Sequence, residues 1–181
     1  TSITIGADGN PVISYYDTTN KDLKVAACTN ATCTASIITA VDTTGGFVGY
    51  DTSITIGADG NPIISYHDNN AGALKVAACI NAFCAGASII TTVDNTGFVG
   101  WYSSITIGVD GNPIISYYDS TNKDLKVAAC TNATCTTKTI TTLDGANDGA
   151  NDVGLYTSIT IGVDGNPIIS YHDNNAGALK V

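Results

Sequence analysis

Aliphatic and small hydroxyl-bearing residues alternate in short runs along this chain, and each run is closed by Gly, Asn or Asp. From Ser2 to Ala7 the period is two, which predicts a strand with two differently occupied faces. Asp8-Gly9-Asn10 then forms a turn, because these residues accept positive φ, and Pro11 suits the first position of the next strand, where no donor is needed. Val12 to Asp17 reads as the second strand, Leu23 to Cys28 as the third and Ser36 to Val41 as the fourth, with a Gly-rich link over 43–49. No capping residue introduces a 3.6-residue apolar period, so no helix is expected.

The same pattern returns. Ser-Ile-Thr-Ile-Gly begins at Ser2, Ser53, Ser104 and Ser158, at spacings of 51, 51 and 54 residues, and each copy continues through Asp-Gly-Asn-Pro, Ile-Ser-Tyr and Leu-Lys-Val. Four short antiparallel strands in about fifty residues match one blade of a β-propeller. The expected fold is therefore all-β, a propeller of four-stranded antiparallel blades over 1–51, 52–102, 103–156 and 157–181, the last one incomplete. A β-solenoid is the alternative, disfavoured by the hairpin turn encoded in the first half of every unit. Copies one and three carry Tyr-Tyr-Asp, and copies two and four Tyr-His-Asp, so the latest duplication copied a pair of blades. An even blade number follows if the array is whole. Val181 aligns with Val25 and Val76 in mid-strand. The expectation is a longer chain continuing with Ala-Ala-Cys, or a second chain supplying the missing strands, since an unpaired sheet edge invites aggregation.

Charge removes one class of partner. Sixteen Asp face seven Lys, with no Arg, Glu or Gln, for a net charge of -9. Phosphate binding needs clustered cations, so nucleic acid is excluded as a partner. No apolar run reaches the length of a membrane helix, and no charged-then-apolar leader precedes Thr1, so no membrane insertion is expected of a chain read as mature, trimmed or partial.

Six cysteines form three equally spaced pairs, Cys28/Cys33, Cys79/Cys84 and Cys130/Cys135, with no His nearby to complete a zinc site. Disulfides across a hairpin loop are the preferred reading, and they imply an oxidising, extracellular or cell-surface setting. The sequons at Asn30 and Asn132 sit inside two of these loops and permit N-glycosylation; Phe83 removes the sequon from the third.

The run from Ser2 to Asp17, with its aliphatic inner strand, Gly-Asn turn and aromatic second strand ending in Asp, resembles the inner hairpin of NHL-type and related secreted bacterial propeller repeats. The resemblance covers the first seventeen residues of each copy and implies a propeller fold in a class that serves many binding roles. The paired cysteines depart from the usual NHL pattern.

The sharpest candidates for binding are Tyr16-Asp17, His67-Asp68, Tyr118-Asp119 and His172-Asp173, at the end of the second strand. An aromatic face beside a carboxylate suits a sugar ring and its hydroxyls, and one pair per blade would make a multivalent lectin. The competing and preferred reading has Asp capping the following turn while the aromatic packs between blades. Catalysis is not expected: strand neighbours such as His67 and Asp68 point to opposite faces, and without Arg or Glu the machinery of sialidase-type propellers is missing. No cofactor is expected either. Asp144 to Gly149, within the duplicated insertion Gly145 to Asp152, half resembles a calcium loop, but Ala146 and Leu155 stand where oxygen ligands belong, so a solvated loop is preferred to a Ca²⁺ site. The expected function is a non-enzymatic extracellular module for surface or matrix binding or adhesion, through a glycan or protein ligand. The alternatives are a multivalent lectin and a self-assembling structural subunit of a filament or layer.

Overall fold

The computed structural model describes residues 1–145 and 151–181, as three four-stranded sheets and one three-stranded sheet, all antiparallel meanders in chain order. The first blade holds β1 (Ser2–Ile5), β2 (Pro11–Asp17), β3 (Asp22–Cys28) and β4 (Ser36–Asp42). The second holds β5 (Val48–Ile56), β6 (Pro62–Asp68), β7 (Ala73–Ala78) and β8 (Ile89–Asp94). The third holds β9 (Val99–Ile107), β10 (Pro113–Asp119), β11 (Asp124–Cys130) and β12 (Lys138–Asp144). The fourth holds β13 (Val153–Ile161), β14 (Pro167–Asp173) and β15 (Ala178–Lys180), and here β14 is paired to β15 only from Tyr171 to Asp173. No helix occurs among the described residues.

Each β1–β2-type hairpin closes through the Asp-Gly-Asn turn. Asp8 accepts the Asn10 backbone N–H at 3.0 Å and its side-chain amide at 2.8 Å, and Asp59, Asp110 and Asp164 repeat this. The carboxylates meet their own turn, which accounts for the recurrence of Asp at these positions.

The inner strands of the later blades begin earlier than the repeat alignment suggests. β5, β9 and β13 start at Val48, Val99 and Val153, inside the stretch read as a Gly-rich link and its counterparts. A register shift follows in each, after Val48, between Trp101 and Val99, and after Val153. Gly49, Gly100 and Gly154, all at positive φ, lie directly on the leucine of the preceding blade: a Cβ there would sit 2.7–2.8 Å from the Cα of Leu23, Leu74 or Leu125. Only glycine permits this approach.

Successive inner strands β1, β5, β9 and β13 pack side by side, and no comparable contact among the described residues joins β13 back to β1. Serines and threonines lock them. Ser2, Ser53 and Ser104 each accept a backbone N–H of the next inner strand at 3.2 Å, and Thr52–Ser14, Ser65–Ser103 and Thr157–Ser116 are buried hydroxyl pairs at 2.8–2.9 Å. The core is the set of inter-blade layers. In the first, Val12, Leu23, Val25 and Ala27 meet Val48, Ile54, Ile64 and Tyr66. Both faces of the middle blades are covered, whereas the first and fourth each leave one face bare.

Cys28–Cys33, Cys79–Cys84 and Cys130–Cys135 are bonded, as befits a protein that matures in an oxidising compartment. Asn30, Asn81 and Asn132 brace the loops between them: the carbonyl oxygen of Asn30 accepts from the Thr32 hydroxyl and the Thr34 N–H at 3.1 Å, while its amide donates to the Thr34 hydroxyl. Asn81, in the loop without a sequon, plays the same part. The loop therefore uses Asn whether or not it is a glycosylation acceptor.

Candidate functional site

The strand alternation separates the paired candidates. Asp68, Asp119 and Asp173 face the preceding blade, while Tyr16, His67 and Tyr118 face the following one, so ring and carboxylate do not form one cradle.

The aspartates are committed to structure. Asp17 accepts the Thr19 N–H at 2.9 Å and the Asn20 amide at 2.7 Å, and lies 2.5 Å from the Lys24 ammonium, whose hydrogen bond holds its carboxyl far below the usual range. Asp68 meets Lys75 at 2.7 Å, Asp119 meets Lys126 at 3.2 Å and Asp173 meets Lys180 at 3.0 Å. Each of these lysines also reaches a second carboxylate on the preceding blade: Asp42, Asp94 and Asp144 at 3.7, 3.2 and 2.9 Å. The same carboxylates accept the hydroxyls of Tyr66, Tyr117 and Tyr171 at 2.6–2.7 Å. Burial opposes ionisation of Asp42 and Asp94, but the Thr44 and Tyr66 hydroxyls, and those of Tyr117 and Thr96, outweigh it and hold both below the ordinary carboxylate value. This Tyr–Asp–Lys–Asp bolt recurs at three blade junctions. Its signal was present in the sequence as Val-Asp or Leu-Asp at the end of each fourth strand, but nothing local shows that the Asp reaches the next blade.

The aromatics form a belt along one rim. Tyr16 stacks on Tyr50 with ring centroids 4.2 Å apart and their hydroxyls are hydrogen-bonded at 3.1 Å; this bond to the protonated form, with burial, pushes the Tyr16 phenol up to about 12. His67 lies 4.3 Å from Trp101 and 5.4 Å from Phe98. Its Nδ1 is 2.8 Å from the Val99 carbonyl, which requires the proton on Nδ1, and its buried Nε2 meets no hydrogen-bond partner among the described residues. Beyond Trp101 the belt continues through Tyr102, Tyr118 and Tyr156, with Tyr102 4.5 Å from Tyr156 and 6.2 Å from Tyr118. His172 stands 6.4 Å from Tyr156 at its far end.

Phe98, Trp101, Tyr102, Tyr118 and Ser120 line an open groove of about 320 Å³ at the rim of the third blade. Burial and the Asp152 carboxylate, 2.7 Å from the Tyr118 hydroxyl, keep that phenol protonated. A second hollow of about 260 Å³, at the inner strands, is bordered by Asp51, Tyr102 and Tyr156 with the hydroxyl-bearing Thr52, Ser103 and Thr157. Tyr102 borders both. Asp51, Tyr102 and Tyr156 occupy equivalent places in their blades at φ of 45°, 53° and 52°, a left-handed backbone that bulky residues rarely adopt. Such strain costs about 1–3 kcal/mol and concentrates where function demands a particular projection of a side chain. Sequence reading passed over Phe98, Trp101, Tyr102 and Tyr156. The recurring Val-Gly-aromatic run that carries them was there to find, but glycine made it look like a linker.

Ser65 is hydrogen-bonded to Ser103 rather than to His67, and among the described residues no three His, Cys, Asp or Glu side chains cluster as a metal site. The half-calcium loop falls largely on residues 146–150, outside those described, while Asp144 and Asp152 are engaged as above.

No family model matches the chain, and no curated protein is similar to it in sequence. Solved β-propeller structures are similar in fold. An α-L-arabinofuranosidase from Lactobacillus brevis matches with a TM-score of 0.58 at 13% identity, over 99% of this chain and 66% of that one. A periplasmic gluconolactonase from Pseudomonas aeruginosa matches with 0.57 at 12%, over 99% and 55%. A fucose lectin from Kordia zhangzhouensis, solved with methyl-fucoside, matches with 0.50 at 10%, over 80% and 99%. The chain thus spans two thirds or less of the length of the two enzymes, and at these identities the likeness shows the propeller fold alone.

Proposed function

We propose that this propeller array is a non-catalytic, extracellular binding module that takes a sugar ring in the aromatic groove at the rim of its third blade. The observation that carries this reading is Tyr102, a bulky residue held at positive φ with its ring bordering a groove otherwise walled by Trp101, Phe98 and Tyr118. Sugar rings present C–H faces that stack on such aromatics, and their hydroxyls are met by the Tyr118 and Ser120 oxygens at the groove wall. The volume matches one or two pyranose rings at the small end of ligand pockets, which run from about 300 Å³. The carboxylates of the original aromatic–acid pairs play no part in this arrangement, since they are held by lysines on the other blade face.

A glycan array followed by calorimetry tests the proposal. The expected result is saturable binding of a neutral glycan that falls at least tenfold in Trp101→Ala and Tyr102→Ala, each of these being a contact rather than a core residue. Tyr16→Ala, at the far end of the belt, should leave binding within about twofold. Absence of any saturable glycan, or binding indifferent to Trp101 and Tyr102, sinks it.

A further inference from the structure

Nine tyrosines and one tryptophan are the side chains of this protein most open to one-electron oxidation, because it has no methionine and holds all six cysteines in disulfides. In an oxidising compartment these rings are what an oxidant meets. Four of the tyrosine hydroxyls are committed to carboxylates: Tyr66, Tyr117 and Tyr171 donate to Asp42, Asp94 and Asp144 at 2.6–2.7 Å, and Tyr118 donates to Asp152 at 2.7 Å. At Tyr16 and Tyr50 a phenol meets a phenol instead.

Tyr16 on β2 and Tyr50 on β5 belong to different blades and are 34 residues apart in the chain. Their rings are stacked, with centroids 4.2 Å apart and planes inclined by 28°, and their hydroxyl oxygens are 3.1 Å apart. Oxygens side by side on two stacked rings bring the carbons ortho to them side by side as well. Those are the carbons that carry unpaired spin in a phenoxyl radical, and the biphenol made by joining them keeps its two hydroxyls adjacent, as they already are here. Both rings are half-buried, and Tyr50 is fixed in place by Gly49, which lies directly on Leu23 of the first blade. The two reacting groups are therefore held together by the fold and need not find each other by diffusion. Tyr102 and Tyr156 come within 4.5 Å, but their rings are tilted by 49°.

We infer that Tyr16 and Tyr50 are an oxidative cross-linking site, at which a peroxide-driven one-electron oxidant joins the two rings by a carbon–carbon bond and staples the first blade to the second. Each phenol gives up one electron and one proton and becomes a phenoxyl radical. The ortho carbons of the two radicals pair their electrons in the new bond, and the hydrogen on each of these carbons moves as a proton to its ring oxygen, which restores both phenols. The product is lighter by two hydrogen atoms. Hydrogen peroxide accepts the two electrons and two protons and leaves as two waters. The new bond closes a loop that the unfolded chain otherwise leaves open, so coupling favours the folded state. The site is independent of any ligand in the aromatic groove.

Treatment of the purified protein with hydrogen peroxide and a haem peroxidase, followed by peptide mapping by mass spectrometry, tests it. The expected product is a monomeric chain lighter by two hydrogens, with the fluorescence of a biphenol and a joined pair of peptides containing Tyr16 and Tyr50. Its yield should stay constant over about a hundredfold range of protein concentration, because the rings are already together. The coupled chain should unfold at a higher denaturant concentration than the untreated one. Tyr16→Phe and Tyr50→Phe keep the stacked rings but remove one phenol each, so either should abolish the joined pair. Tyr15→Phe, on the opposite face of β2, should leave it unchanged. Absence of the joined pair under conditions that couple free N-acetyltyrosine amide overturns the inference. So does coupling found only between molecules or only at other tyrosines, or a Tyr16 cross-link that survives Tyr50→Phe.

Discussion

His67 shows how one substitution between otherwise matching repeats changes the physics of a junction. Copies one and three place Tyr at this position, whereas the second copy buries an imidazole between Phe98 and Trp101 with its proton fixed on Nδ1 by the Val99 carbonyl. Burial pushes the His67 imidazole below its ordinary value, although the Val99 hydrogen bond and the Asp51 and Asp68 charges pull the other way. The unfolded chain, with a His pKa near 6.5, then binds the proton more readily than the native one. Stability is therefore lost as pH falls below about 6.5, by at most about 1.4 kcal/mol per unit until the native imidazole also titrates. Denaturant midpoints at pH 7.5 and pH 5 should show this loss, and His67→Tyr should remove it. If the variant's midpoint fell in parallel with its parent's, the slope would belong to other groups. The depressed carboxylates act in a separate window: Asp17, Asp42, Asp94 and Asp173 contribute stability above about pH 3.9 that disappears under stronger acid.

At the scale of the element, the decisive feature is the bulged start of each inner strand. Gly100 adopts φ of 95° with its α-carbon against Leu74, so Gly100→Ala meets both a left-handed backbone and a 2.8 Å clash with the Leu74 Cα. The expected loss is about 3 kcal/mol or more. Gly9, at φ of 82° with nothing within 4 Å, isolates the backbone contribution, and Gly9→Ala should cost only about 1–2 kcal/mol. Equal losses in equilibrium unfolding of the two variants would show that the leucine contact is not tight. The four strands of a blade, their order and their turns were legible in alternation, Asp-Gly-Asn and Pro. The bulge was not. Val48 and Gly49 read as part of a Gly-rich link by composition, and they are strand because Val48 and Tyr50 pair with Asp68 and His67 while Gly49 fits against Leu23 of the preceding blade.

Among the described residues the extensive contacts between blades join neighbours in sequence, so stability is a sum of blade and junction contributions. The second blade, covered on both sides, should hold the most slowly exchanging amides, in β6 and β7. β14 and β15, with one face bare and the pairing confined to Tyr171–Asp173, should exchange first. Hydrogen exchange resolved by peptide checks this, and a uniform protection profile over all four sheets would count against a junction-by-junction account.

Repetition, strand period, turn chemistry and cysteine spacing are local properties, and the sequence by itself determined them: an all-β array of meander blades, the first three each with a short disulfide loop. The partners of side chains that leave their own blade are not local. Tyr66 and Asp42 are 24 residues apart and meet through a blade junction, where Lys75 joins Asp42 to Asp68 of its own blade. The aromatic groove likewise comes from Phe98, Trp101 and Tyr102 on one blade margin closing with Tyr118 and Ser120 across a register shift. Strand alternation decides which way a residue points, but only the stacking of blades decides what waits there.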